Sequence, residues 1–340
     1  MILESYIEDI LAGKNLDSHA TQRLFLALGR GELSLGESMR ILLLLNKKGI
    51  TTDELLGAVL AFRKLAKPVI HTARIARAMD NCGTGGDGKD TFNISTAAAF
   101  VIAACGIPVA KHGNRGVSSK CGSADLFQAL GINIEVSSSK MVHALHKTNL
   151  GYFHAPLYHA AMRSAAPFRK AIRTKTIFNV LGPLLSPMRV KRQMIGAFDA
   201  ALLLPMATVL RKLGSKHAVV VHGLDGTDEI SISGTTEIVR LADGHLTKEQ
   251  FHPQILGLRS FPLSTLHGGT PNQRARDVFT MFSGKGRPAL RQAVALNAAF
   301  GIQIGKDGCS LRDAYKLATA AMDNGSALRV IKKLREITNG

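Results

Sequence analysis

Residues 81–125 read NCGTGGDGKDTFNISTAAAFVIAACGIPVAKHGNRGVSSKCGSAD, two loops rich in glycine and hydroxyl groups on either side of an apolar run. The first loop, Gly83-Thr84-Gly85-Gly86-Asp87-Gly88, lets backbone N–H groups close on an anion, because glycine adds no bulk and tolerates positive φ. Asn93, Ser95 and Thr96 stand just before the run Ala97 to Ala104, which puts their polar groups at a helix N-terminus, where N–H donors lack partners. A strand expected at Ile107 to Ala110 leads to the second loop, with Lys111, His112, Asn114, Arg115, Ser118, Ser119 and Lys120. So many cations, hydroxyls and amides in ten residues suit a phosphate-bearing ligand.

The first loop alone leaves alternatives open. Gly83, Gly85 and Gly88 match the dinucleotide pattern G-x-G-x-x-G, and Gly83 to Lys89 nearly matches a P-loop, with Asp90 where its Ser or Thr should be. Against a bare pyrophosphate Asp87 is repulsive, and a P-loop without its hydroxyl loses a magnesium contact. An acid in the glycine loop followed by hydroxyls better suits a phosphate that arrives with Mg²⁺. A plain glycine turn is the competing reading. Asp228 and Glu229 follow an apolar stretch, Ala218 to Val221, and a glycine turn. An isolated Asp-Glu pair reads as a solvated turn, but beside two phosphate loops it reads as ligands for a hard cation. His154 and His159 are five apart, off the helical i, i+4 spacing of a metal pair, and with His217 and His222 they read as structural histidines.

The chain carries 43 Lys and Arg against 25 Asp and Glu, a formal charge of +18. Such a field concentrates anionic substrates and also attracts nucleic acid non-specifically. Aromatic content of 5%, no Trp, and basic residues scattered along the chain argue against anything beyond weak, non-specific nucleic-acid binding. No apolar stretch approaches the roughly 20 residues of a membrane span. Glu4, Glu8 and Asp9 exclude a signal peptide at the start, and four cysteines without paired or metal-ligand spacing favour a reducing, cytoplasmic setting.

Periodicity predicts helices over Glu4–Ala12, His19–Arg30, Leu35–Lys47 and Thr52–Leu65, the last with a capping-box spacing at Thr51 and Glu54 and a core stripe of Leu55, Val59, Phe62 and Ala66. Pro68 breaks the pattern. From about Asp80, short apolar strands at Ile107–Ala110, Gln193–Ile195 and Ala218–Val221 alternate with helices. The expected fold class is therefore α/β, a small helical domain over 1–69 and a larger α/β domain over 70–340, with the site in the cleft between them.

Together, GTGGD, TFNIST, KHGNRGVSS and GSAD, with APLYH at 155–159, TIFNVLGPLLSP at 176–187, GLDGTDEIS at 223–231 and the region from Gly268 onward, give a sequence that resembles the anthranilate phosphoribosyltransferase family over nearly its whole length. The resemblance implies a central, mainly parallel sheet of the nucleoside phosphorylase/phosphoribosyltransferase kind, a segment near 171–190 that returns to the helical domain, and a homodimer. It implies transfer of the phosphoribosyl group of 5-phosphoribosyl 1-pyrophosphate (PRPP) to the amine of anthranilate, the second step from chorismate to tryptophan. Gly83, Gly86, Asp87, Thr91, Asn93, Ile94, Ser95, Thr96, Lys111, Ser119 and Ser123 would bind PRPP. Gly83, Asn114, Tyr158, His159, Arg169 and Pro183 would bind anthranilate, and Ser95, Asp228 and Glu229 would hold Mg²⁺. Lys111, Asp228 and Glu229 with Mg²⁺ would stabilise the transition state, with no dedicated catalytic base. Arg173 departs from the family pattern, as do Lys175 and Cys121. The alternatives are a pyrimidine nucleoside phosphorylase-like enzyme, which has no pyrophosphate to bring in with magnesium, and a non-catalytic nucleic-acid-binding relative, in which the phosphate loops would have decayed.

Overall fold

A computed structural model describes residues 2–69, 75–116, 120–163 and 174–340. The chain opens with four helices, α1 (Ile2–Leu11), α2 (Ser18–Arg30), α3 (Leu35–Lys48) and α4 (Thr52–Leu65), within a residue or two of the periodicity. Local chemistry sets their starts. Asp17 accepts from the His19 and Ala20 N–H groups, and Ser34/Glu37 and Thr51/Glu54 form reciprocal capping boxes, each cap contributing about 0.5–2 kcal/mol. Glu54 is buried and also accepts from the Leu16 N–H and from Lys48 Nζ at 2.9 Å, which ties α4 to the ends of its neighbours. Phe25, Phe62 and Phe178 meet edge to face or tilted, with centroids 5.7 to 6.4 Å apart. Phe178 begins a later helix, α9 (Phe178–Leu184), and packs against Phe25 of α2 and Phe62 of α4.

The remainder is a seven-stranded sheet in the order β3-β2-β1-β4-β5-β6-β7, with β1 (Met79–Gly83), β2 (Val109–Gly113), β3 (Leu150–His154), β4 (Arg192–Gly196), β5 (His217–Gly223), β6 (Thr236–Ala242) and β7 (His245–Phe251). The first five are parallel; β6 and β7 add an antiparallel hairpin turned at Asp243 and Gly244, both at positive φ, as an Asp-Gly two-residue turn requires. Around it lie α5 (Ile94–Ala104), α6 (Ser123–Ala129), α7 (Ser138–Thr148), the short α8 (Ala155–Tyr158), α10 (Leu203–Lys212), α11 (Pro271–Met281), α12 (Pro288–Gly305), α13 (Leu311–Asp323) and α14 (Ser326–Asn339).

Parallel strands are covered on both faces, and the two-residue period of β5 divides its side chains accordingly. Val219 and Val221 join the core under α5 and α12, whereas Ala218 and Val220 join Leu24, Phe62 and Leu210 of α2, α4 and α10. The helical bundle's core thus runs without a break onto one face of the sheet. The strand read at Ile107–Ala110 starts later and runs on to Gly113, so Lys111 and His112 are buried strand residues and not loop residues. The expectations at 193–195 and 218–221 fall inside β4 and β5. No helix of the described residues is long and apolar enough to cross a membrane.

Strand order reverses between β1 and β4: the chain leaves β1 toward β2 and β3 on one side and later builds β4 and β5 on the other. Open α/β sheets hold ligands at such a switch point, at the carboxyl ends of the strands. Here those ends are Gly83 and Gly196, paired in register.

Candidate active site

Two glycines at the strand ends make room for the acidic pair. A Cβ on Gly196 would collide with the Asp228 carbonyl, and one on Gly83 would lie 2.6 Å from Asp228 Oδ2. Asp228 Oδ2 accepts from the Gly85 N–H at 2.8 Å, and Glu229 Oε1 accepts from the Ser95 N–H, in the first turn of α5, at 3.0 Å. The pair is therefore fastened to the glycine loop and to the helix N-terminus at once. Asp225 shapes the turn before it by accepting from Thr227 N–H and Oγ1 and from Ser231 Oγ. Asn297 on α12 fixes the residue after it: its Oδ1 accepts from Ile230 N–H at 2.9 Å and its Nδ2 donates to Ile230 O at 3.1 Å.

The crevice is short of positive charge. Burial, and then Asp228, push the Glu229 carboxyl up to about 8; burial, and then Asp87, push Asp228 up to about 6, with the Gly85 N–H opposing. Asp87 Oδ1 accepts from the Lys89 N–H, but its Oδ2 is buried without a partner. The nearest cation, Lys111, is committed below: it is 1% exposed and donates to Asn81 O at 2.7 Å, and burial pulls its pKa down against the pull of Asp80, Cys82, Glu229 and Asp228. Among the described residues no three His, Cys, Asp or Glu side chains are arranged to hold a metal by themselves. A hard cation in this crevice would therefore complete its shell with ligand or water oxygens.

The second loop is cinched onto α6. Asn114 O accepts from Ser123 Oγ at 3.3 Å and from the Ala124 N–H at 3.2 Å, Ser123 Oγ lies 3.0 Å from Tyr152 Oη, and Asp125 accepts from the Gly116 and Gly122 N–H groups. Asn93 Nδ2 donates to Cys121 O and so joins this loop to the first. Beneath both lies Arg274 of α11, 1% exposed, which donates to Gly269 O, Thr91 O, Asn93 Oδ1 and Asp90 Oδ1 at 2.6 to 3.1 Å. Neither Arg274 nor Asn297 belongs to a motif, and neither was singled out from the sequence; a polar residue inside an apolar helical stripe is the only mark Asn297 carries.

Of the residues expected to bind PRPP, Gly83, Gly86, Asp87, Thr91, Asn93 and Ser95 belong to the first loop and the start of α5, and Ser123 opens α6. Ile94 and Thr96 are on the buried side of α5 itself, at 2% and 1% exposure. Asn114 is exposed at the mouth of the second loop. Tyr158 is packed into the core, 5.8 Å from the Phe153 ring, and Pro183 is buried in α9, where its carbonyl accepts from Gln193 Nε2 at 3.0 Å. His159 lies with its ring centroid 5.2 Å from that of His112. Ser119 and Arg169 lie outside the described residues, as does Arg173.

His112 and His159 give the site an acid limit. Burial, followed by His159, lowers the His112 pKa to about 3, and burial lowers His159 to about 4. With folded values below the ordinary 6.5, the stability each contributes is complete above pH 6.5 and is lost as pH falls toward 4, on the order of 3 kcal/mol per histidine. Urea unfolding between pH 7 and 4 is expected to show this loss, with a shallower slope in His112→Gln; an unchanged slope refutes the assignment.

Residues 75–328 match the family model described as glycosyl transferase family, a/b domain. An anthranilate phosphoribosyltransferase of Petrotoga mobilis is 37% identical over 98% of this chain and 96% of its own length, and one of Symbiobacterium thermophilum is 38% identical over 99% and 98%. The crystal structure of anthranilate phosphoribosyltransferase from Thermus thermophilus superposes with a TM-score of 0.92 at 33% identity, covering 98% of this chain and 99% of that one. The Saccharomyces cerevisiae enzyme in complex with PRPP and Mg superposes with a TM-score of 0.89 at 25% identity, over 99% and 98%. Full-length identity at this level, on a fold whose crevice places the glycine loop, the hydroxyl-bearing helix start and the acidic pair together, means that the chain belongs to the anthranilate phosphoribosyltransferase family.

Proposed function

We propose that the protein transfers the phosphoribosyl group from PRPP to the amine of anthranilate, releasing pyrophosphate and N-(5-phosphoribosyl)anthranilate, in the second step of tryptophan synthesis from chorismate. The observation that supports this reading is the double attachment of Asp228 and Glu229 to Gly85 and Ser95, which brings two carboxyls beside the glycine loop and the start of α5, a setting that suits a divalent cation arriving with a phosphate. Mg²⁺ fits there because burial and neighbouring carboxylates hold both carboxyls above their ordinary range, a cost that a cation would offset, and Asp87 Oδ2 is buried without a partner. Asp228 and Glu229 would hold it, with Ser95. Bound with PRPP, it would offset the charge that gathers on the departing pyrophosphate.

Gly85, Gly86 and Gly88 have φ of 62°, 74° and 72°, a left-handed run that turns successive N–H groups outward as an anion cradle. The remaining proposed PRPP ligands are Gly83, Asp87, Thr91, Asn93, Ile94, Thr96, Lys111, Ser119 and Ser123, and the buried ones among them act through backbone and packing. An aromatic amine is unprotonated at neutral pH, so it attacks the anomeric carbon without a strong base, and positioning and charge stabilisation supply most of the catalysis. We assign anthranilate to Gly83, Asn114, His159, Arg169 and Pro183, with Tyr158 behind them. The site lies in the cleft between the helices of residues 1–69, joined by a returning segment near 171–190, and the α/β domain of 70–340. The protein works as a homodimer in the cytoplasm.

Incubation with PRPP, Mg²⁺ and anthranilate is expected to consume anthranilate, followed by its fluorescence, only when magnesium is present. Phosphorolysis of thymidine or uridine without anthranilate turnover would instead establish a nucleoside phosphorylase. For Arg169, loss of a charge-assisted bond to the anthranilate carboxylate costs about 1.5–3 kcal/mol, so Arg169→Ala is expected to lower kcat/KM for anthranilate by roughly 10- to 150-fold while the KM for PRPP stays put. Arg173→Ala is the control. If it proves the more damaging of the two, the carboxylate belongs to the other arginine.

A further inference from the structure

A second cavity, of about 140 Å³, opens where the chain passes between the helices and the sheet. Its walls are Arg63 at the end of α4, the linker Ala66 to Val69, His159, and Leu185 to Pro187 with Arg189. It shares no lining residue with the crevice beside Asp228 and Glu229, and of the residues proposed for anthranilate it takes in His159 alone. Two of its walls lead into β1 and β4, whereas the crevice lies where those strands end.

The charged residues of the lining are all cations. Arg63, Lys67 and Arg189 bring three positive charges, and among the described residues no carboxylate pairs with any of them. The segments outside the described residues, 70–74, 117–119 and 164–173, contain no Asp or Glu that could do so. Arg63 donates Nε and one terminal nitrogen to Leu184 O at 3.1 and 2.8 Å, which leaves its other terminal nitrogen over. Arg189 sits at φ 46°, a left-handed conformation that costs a non-glycine residue strain, and its guanidinium reaches Arg63 O at 3.2 Å. Ser186 Oγ, in a residue only 1% exposed, has no hydrogen-bond partner, and the His159 ring, in a residue 4% exposed, has only the Leu185 backbone beside it, short of hydrogen-bond geometry. Buried polar groups are ordinarily satisfied, and cations gathered at a cavity without a carboxylate call for an anion from outside.

We propose that this cavity binds a small oxyanion with two or more acidic oxygens, held by Arg63, Lys67 and Arg189 at its charges and by the Ser186 hydroxyl and one ring N–H of His159 at its remaining acceptors. A phosphate and a dicarboxylate share that chemistry. The test follows the His159 imidazole ¹⁵N resonance, assigned by its absence in His159→Gln, while inorganic phosphate or malonate is added at constant ionic strength. A saturable shift is expected with at least one of them. Saturation by phosphate alone points to a phosphate-bearing ligand, by malonate alone to a carboxylate-bearing one, and by both to the shared chemistry. In the double variant Lys67→Gln/Arg189→Gln, which alters two exposed side chains and is expected to keep the circular dichroism spectrum of the wild type, binding is expected to weaken at least about tenfold, the loss of one charge-assisted contact. No saturable shift with either anion, or equal binding by the double variant, which would mark an adventitious ion only, overturns the proposal.

Discussion

The paired substitution Asp228→Asn/Glu229→Gln is expected to lower turnover with PRPP and anthranilate by roughly 10²- to 10³-fold while making the metal-free protein more stable at pH 8. The two effects have one cause. Both carboxyls sit above their ordinary values, at about 6 and about 8, because burial, and then Asp87 for Asp228 and Asp228 for Glu229, oppose their ionisation. A carboxyl whose folded pKa is raised contributes stability below its unfolded pKa and loses it as pH rises through the folded value, here across the window from about 4 to about 8. Neutral amides remove that penalty and can still accept from the Gly85 and Ser95 N–H groups through their oxygens. What they lose is the charge that holds a cation against pyrophosphate. The thermal midpoint of the variant should therefore exceed that of the metal-free wild type at pH 8 and approach it near pH 4. A rate like that of the wild type across a magnesium titration would remove the pair from the mechanism, and a lower midpoint at pH 8 would show that the carboxylates support the fold. Stability given up at a site that needs uncompensated charge is a common trade.

The parts of this structure that were legible in the sequence are those fixed by local chemistry. Thr51 and Glu54 announced the start of α4, and its core stripe is buried at Leu55, Val59 and Phe62, because capping and 3.6-residue periodicity act within one or two turns. The first glycine loop and the start of α5 were likewise readable, since φ > 0 and free N–H donors each demand particular residues. Where polar residues are buried by distant partners, local reading failed. β1 reads Met-Asp-Asn-Cys-Gly, which does not look like a strand, yet Asp80 is fully buried and accepts from the His112 N–H across the sheet, and Asn81 Nδ2 donates to Ser95 O. The same network draws Lys111 and His112 into β2, so a lysine that looks like a loop cation is a buried strand residue. The β6–β7 hairpin did carry its mark, the Asp243-Gly244 turn between alternating stretches. For Asn297 and Arg274 the partners lie 67 and more than 180 positions away, and no short pattern reports on such a pairing.

Arg274→Met is expected to be the most damaging single change outside the residues proposed to touch substrate. Methionine keeps the length and the apolar stem of the side chain, so the packing of α11 changes little, but every donor is lost. Thr91 O and Asn93 Oδ1 then each lose a part-buried bond, for which an unsatisfied acceptor costs about 1–3 kcal/mol, while Gly269 O, in an exposed residue, can turn to water. Asp90 contributes less to the loss, because its side chain is 31% exposed and keeps Lys120 at 3.5 Å. Asp90 is held at φ 47°, and Asn93, once released from Arg274, keeps only its bond to Cys121 O between the two loops. A loss of roughly 1–3 kcal/mol in urea unfolding should therefore come with a raised KM for PRPP, while binding of anthranilate to the free enzyme changes less. Arg274→Lys should recover part of the stability, since one ammonium can serve two or three of the four acceptors, but little of the PRPP affinity, because a point charge cannot hold Thr91 and Asp90 in the fixed spread of a guanidinium. If Arg274→Met destabilises the protein and leaves the KM for PRPP unchanged, Arg274 supports the fold alone and the first loop keeps its shape without it.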